Sequence, residues 1–479
     1  MQTPILGQAY VARSVNAADN RLVNLFAEAV QEGETAAFFN RAPGLRHLQD
    51  IGRGPIRGLW AHQTHGDDFY VASGNEFYKV TGLTATPVLL GTITGDGPVS
   101  IADNGTQLFI ACNPDGFIYN EATNVFAQIT DPGFAGAATV AYLDGYFVFN
   151  QPDSEIVWVT SLLDGTSVDP LDFASVEASP DLMVALASVH RELWMFGSNS
   201  IEVWYDAGNA DFPLAPIQGA FNEIGCVAAF SVAKLDNSVW WLGQDERGQG
   251  IVYRSQGYAA KRVSTHAVEW QIQQYSTLTD AVAYTYQQDG HAFYVLNFPT
   301  ANTTWVYDVA TNLWHERAGF VNGDFVRSRA NCQCNFQGNI IVGDYQDGSI
   351  YTLDLNNYTD DDRPQKWLRS WRALPPGTNT LKRTTQHSLQ LNLETGVGLN
   401  SGQGSDPQVM LRWSDDSGHT WSREHWTTIG KIGEFGKRAI WRRLGMTQKL
   451  RQRIYEVSGT DPVKISIVGA ELLVDGTNA

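Results

Sequence analysis

The sequence predicts an all-β protein, a β-propeller of about seven blades with an additional C-terminal β-rich domain. Three observations carry this expectation. A strand–turn–strand unit recurs at one spacing, an aromatic residue recurs at a corresponding place in each unit, and helical periodicity is nearly absent from a chain with 45 glycines and 15 tryptophans. The unit is clearest over residues 102–128, ADNGTQLFIACNPDGFIYNEATNVFAQ, where β-favouring apolar runs alternate with polar turns that hold Pro and Gly. It returns after turns at Gly66, Asp144-Gly145, Arg191, Asp236-Asn237, Asp289-Gly290 and Gln337-Gly338. These turns stand about 45 residues apart, a period that marks multi-stranded propeller blades. The recurring aromatics are Tyr78, Tyr119, Trp158, Trp204, Tyr253, Tyr307 and Tyr351, which are expected to pack between adjacent sheets. Unrelated hairpins in an irregular all-β protein would not share one period.

In chain order, residues 1–50 are expected to be an N-terminal arm with closing strands, holding a strand at 21–26, a polar loop at 31–36 and a turn at 42–45. Residues 51–362 form the propeller, and 356–363, NNYTDDDR, reads as a polar linker. Residues 363–479 read as a separate β-domain, with an alternating strand at 387–393 and a Gly- and Ser-rich loop at 396–406. They could instead supply an eighth blade, with an N-terminal strand closing the ring.

Hydrophobic residues at 43% and charged residues at 18% are a composition that folds around a core. No run approaches the roughly 18 apolar residues of a membrane helix. The start, MQTPILGQAYVARSVNAADN, lacks the basic and apolar regions of a signal peptide, so synthesis and folding in a cytoplasm are expected. Cys112, Cys226, Cys332 and Cys334 are too few for a disulfide framework, and free, mostly buried thiols are expected. The net charge of −18 is divided unevenly: residues 1–362 hold 16 basic and 41 acidic side chains, whereas 363–479 hold 17 and 10, or +7. An acidic body repels nucleic acid, and a basic end is a candidate partner surface.

Short runs at both ends resemble one family. RLVNLFAE at 21–28, APGLRHL at 42–48 and GPIRGL at 54–59 are similar in order and spacing to the start of the tail-nozzle proteins of short-tailed bacteriophages, also called packaged-DNA stabilisation or tail-hub proteins. LRWSDDSGHTWSREHW at 411–426 and GKIGEFGKRAIWRRLGMTQKLRQRIYEV at 430–457 resemble the same family's C-terminal part, with Ser417 where Gly is common and Ile454-Tyr455 in place of Val-Phe. The resemblance implies a structural virion protein with no enzymatic activity. It implies a ring, expected to be a homo-hexamer, below the portal and adaptor. That ring would extend the DNA channel, retain packaged genome and anchor fibres, spikes or a plug, in a virion tail assembled in the host cytoplasm. DNA would pass without sequence-specific binding. No cofactor, metal or membrane span is implied.

The sharpest local motif is Ser414, Asp416, Gly418, Thr420 and Trp421, an S-x-D-x-G-x-T-W Asp box. Its chemistry is structural: Ser and Asp bond the backbone of a tight hairpin, Gly takes positive φ and Trp packs beneath. A sialidase-like or carbohydrate-binding propeller is the alternative reading. A sialidase, however, repeats the box in several blades and needs an arginine cluster, and arginines are sparse in these repeats. His62, His65, Asp67 and Asp68 could form a metal loop, but they sit in a solvated turn. Asp360–Asp362 lack the alternate spacing of a Ca²⁺ loop. Gly248-x-Gly250 and Gly396-x-Gly398 follow no strand-to-helix switch. Residues 431–453 carry eight basic side chains, among them Lys437, Arg438, Arg442, Arg443, Arg451 and Arg453, against Glu434. They are expected to form a docking surface for an acidic neighbour such as another copy of this chain. Contact with DNA phosphates and ordinary solvated strand positions are the other readings.

Overall fold

The computed structural model describes every residue except 14–17, 31, 33–34, 63–65, 177–180, 210–211, 246–247, 376–382, 448–452 and 477–479. Each blade is an antiparallel sheet whose strands follow chain order. In the second blade, Ser100–Asp103, Gln107–Ala111, Gly116–Asn120 and Val125–Gln128 pair in sequence. Blade one covers 56–92, blade three 140–175, blade four 183–222, blade five 225–262 and blade six 282–317.

The seventh blade has three strands of its own, Ala330–Phe336, Asn339–Asp344 and Ser349–Asp354, and is completed by Gly44–Asp50 from the N-terminal side. The chain therefore starts its circuit in the last blade and enters the first at Ile56, so the closing strand locks the ring. Seven apolar clusters fill the seven seams between neighbouring blades, and each of the seven recurring aromatics falls in a different one. Cluster residues from the seventh blade, such as Phe336 and Ile341, pack with Ile56 and Phe69 of the first, which closes the circle.

In blades three to seven the described turn that leads into the second long strand is a two-residue reversal with positive φ at both positions. Asp144 and Gly145 (φ 45° and 107°) are one example, and the right-handed twist of the strands favours this turn.

Residues 363–479 form no eighth blade. They build a sandwich with help from the N-terminal segment. One sheet orders Leu25–Ala29, Ala37–Arg41, Ser466–Gly476, Thr384–Leu393 and Ala439–Met446. The other orders Leu22–Val23, Trp367–Arg372, Ile454–Gly459, Gln408–Ser414 and His425–Thr428. Val23 also pairs in parallel with Glu316 of blade six, so this second sheet runs on into the propeller. The core between the sheets includes Trp371, Leu389, Leu411, Tyr455 and Ile467.

One expectation needs refining. Residues 356–363 do link the propeller to the sandwich, but they are bonded to the body and not a free polar run. Thr359–Asp360 pairs with Arg363–Pro364, and Asp360 bridges to Leu45 and accepts the Gln365 amide at 3.1 Å. A helix, His266–Ile272, joins blades five and six, capped by the Thr265 hydroxyl, which accepts the Val268 N–H. Its seven residues, HAVEWQI, are too few to show helical periodicity in the sequence. The four cysteines are free thiols, three buried and Cys332 half-buried. No described helix is long and apolar enough to cross a membrane.

Candidate functional site

The N-terminal motif residues stitch the two parts of the molecule together. Arg21 pairs with Glu316 of blade six at 2.7 Å. Asn24, fully buried with φ 53°, donates to Ala318 O and Lys366 O, both at 2.7 Å, and accepts the Ala318 N–H at 3.0 Å. It thus bonds the end of blade six and the start of the sandwich at once. Arg41 is 2% exposed, and its guanidinium donates to backbone oxygens of Tyr358 (3.0 Å), Asp461 (2.6 Å) and Val463 (3.0 Å). Gly44 lies so close to residues 357–359 that a Cβ would stand 2.4 Å from Thr359 O. In the GPIRGL run, Arg57 donates to the carbonyls of Gly74, Thr94 and Gly97 at 2.6–2.9 Å, bracing blade one. The first two runs, with Arg41 between them, therefore encode the junction of propeller and sandwich, and the third braces blade one.

The Asp box folds as a brace. The buried Ser414 hydroxyl donates to Asp416 Oδ1 at 2.7 Å and accepts the Gly418 N–H at 2.8 Å. Asp416 accepts the Thr420 hydroxyl at 2.6 Å and the Thr420 N–H at 2.8 Å, and these bonds hold its carboxyl well below the usual range. Trp421 donates to Gly418 O at 3.1 Å, and the Arg412 guanidinium lies 4.7 Å over its ring. Both Asp416 oxygens are engaged inside the turn.

The basic segment divides. Lys437 and Arg438 are exposed, as are Arg442 and Arg443 on Ala439–Met446, an edge strand of the sandwich. A bulge opposite Gln386–Ser388, with Arg443 at φ 62°, turns both arginines outward before Leu444 returns to the core. Arg453 does not belong to that surface. It is 2% exposed and forms a two-pronged pair with Asp415 at 2.7 and 2.8 Å, because the strand Ile454–Gly459 lies inside its sheet. Arg451 lies outside the described residues. Sequence reasoning, which counted charges, missed that Trp426, Ile432 and Phe435 stand 58%, 57% and 76% exposed in the same part of the sandwich. The signal was present in GKIGEFGKR, where apolar residues alternate with glycine and charge.

The other candidate residues are occupied elsewhere. His62 contacts Asp103 at 3.5 Å and Glu121 at 2.8 Å across the seam between blades one and two. Asp68 pairs with Lys79 at 2.7 Å, and His65 lies outside the described residues.

A seven-bladed propeller continuous with a β-sandwich, bearing braces and a cationic edge, defines a protein of the propeller-plus-sandwich class. The chain belongs to the bacteriophage P22 Gp10 family and is a phage tail structural protein: the family's β-propeller model matches residues 1–358, and its β-sandwich model matches 367–475. No curated protein matches the chain. Among solved structures, it is similar to the N-terminal domain of Nup159, at 9% identity and TM-score 0.41, over 69% of this chain and 97% of that one. It is also similar to the extracellular domain of the one-component system BT4673 from B. thetaiotaomicron, at 11% identity and TM-score 0.43, over 88% of this chain and 57% of that one. At such TM-scores these likenesses carry no argument.

Proposed function

We propose that this protein forms the tail nozzle, a homo-hexameric ring below the portal and adaptor that extends the DNA channel, retains packaged genome and anchors fibres, spikes or a plug. The observation that carries the reading is the division of charge along one chain. The cations Lys437, Arg438, Arg442 and Arg443 are exposed on the sandwich, while residues 1–362 hold a net −25. A head-to-tail ring sets each sandwich beside a neighbouring body, and such an interface closes when the rotation fits. An acidic lumen lets DNA slide without adhering. The mechanism is geometric and involves no reaction. The test is incubation with portal–adaptor complexes, followed by sedimentation and electron microscopy. A ring added below the adaptor is expected; a chain that stays monomeric and never joins the complex overturns the reading.

A further inference from the structure

We propose that the seam between blades four and five holds a binding site for a neutral sugar ring. Three turns from the two blades converge there: His190-Arg191, Asp236-Asn237 and Gly257-Tyr258. They surround a cavity of about 540 Å³ lined by Glu192, Trp194, Asn237, Arg254, Gln256 and Tyr258 among others. That size lies in the range of small-molecule sites, about 300–1,000 Å³.

The turns set this seam apart from the others. Of the seven reversals between first and second strands, five contain a glycine at positive φ: Gly66, Gly105, Gly145, Gly290 and Gly338. The two that do not are adjacent, and both line this cavity. His190 and Arg191 take φ values of 55° and 60°, where glycine would spare strain, and Asp236 and Asn237, residue types that tolerate this region, take 49° and 56°. His190 Nε2 and Asn237 Oδ1 meet at 2.6 Å across the seam, which fixes the Asn237 amide at the rim.

The lining has the chemistry that recognises vicinal hydroxyls on an apolar ring. Tyr258, 39% exposed, offers an aromatic face and is backed by buried Trp194 at 6.4 Å between centroids. Its hydroxyl donates to Glu192 Oε1 at 2.6 Å, which holds the carboxylate in place as an acceptor at the rim of the cavity. Arg254 lies over Trp240 with Nη1 3.7 Å from Asp236, and its buried Nε has no partner among the described residues. Planar donors and acceptors beside an aromatic face suit a pyranose. Two carboxylates in the lining, Glu192 and Asp236, disfavour an anion, and the polar lining disfavours a purely apolar guest. The site goes beyond the nozzle reading and needs no ring to exist.

The test is saturation-transfer NMR and calorimetry of the full chain with methyl glycosides of glucose, galactose, mannose and N-acetylglucosamine. At least one is expected to bind, with a dissociation constant on the order of 1 mM. Tyr258→Ala and Asn237→Gly should each weaken it about tenfold or more, and Asn237→Gly should keep the fold because glycine suits that turn. Thermal unfolding reports folding for both variants. Absence of binding by every glycoside, or binding that survives both substitutions in folded protein, overturns the proposal. So does tighter binding of methyl glucuronide, an anionic sugar run beside the four neutral glycosides.

Discussion

At the scale of single residues, the Asp box illustrates how one hydroxyl can organise a turn. Ser414 is 1% exposed and serves both as donor to Asp416 and as acceptor for Gly418. Ser414→Ala should lower stability by about 1–2 kcal/mol, because a buried hydrogen-bonding hub is lost, and chemical denaturation measures this directly. Asp416→Ala should lower the melting temperature as well. A glycosidase activity in the wild type that disappears with Asp416→Ala would contradict the brace. The thiols allow a second check. Burial pushes Cys226 up to about 11 and Cys332 up to about 12, so both should resist thiol reagents in the native protein. After denaturation without reductant, all four cysteines should react; a titre of two would reveal a disulfide.

At the scale of elements, the blades were legible because each carries its own signal. A turn and an aromatic repeat locally, and Tyr119, Trp204 and Tyr351 land in three different seams as their spacing implies. The sandwich was legible only as a β-rich end. Its sheets join strands more than 300 residues apart, such as Phe39 with Ile467 and Leu22 with Arg369, and such pairing leaves no mark on local periodicity. The bonding of the linking run 356–363 was hidden for the same reason, since polar composition does not disclose that Leu45 is its partner. The cationic surface was legible as charge, but not the burial of Arg453, whose partner Asp415 comes from the Asp-box turn.

The seam between blades one and two offers a test of coupling between elements. The contacts of His62 with Asp103 and then Glu121 push its pKa up to about 10. A proton held more tightly in the folded state stabilises it fully below the ordinary value near 6.5, and that contribution is lost as pH rises through about 10. Stability should therefore decline between about pH 7 and 9, by at most about 1.4 kcal/mol per pH unit. His62→Gln should flatten that decline. Urea titrations across this window measure it, and an unchanged slope in the variant would place the proton elsewhere.

At the scale of the whole molecule, the acidic propeller and the cationic edge of the sandwich belong to one rigid frame. Asn24 and Arg41 bond both parts, and a sheet runs through the junction. A frame of this kind transmits position, so each charged surface meets a neighbour at a fixed place. Opposite charges across a ring interface guide register and speed encounter more than they add affinity. The bulge that turns Arg442 and Arg443 outward also guards an edge strand against unwanted pairing, so the same cations restrict as well as attract. Replacing Arg438, Arg442 and Arg443 together with Glu should leave the monomer folded, since all three are exposed, but should impair ring formation or attachment to the tail. Rising salt should weaken wild-type assembly in the same direction, because exposed charges are screened over about 8–10 Å near physiological ionic strength. Sedimentation and tail incorporation of the triple variant beside the wild type decide the matter. Normal assembly and incorporation would make the basic segment a solvated edge. Normal assembly with virions that leak DNA would move its role to the phosphates of the packaged genome.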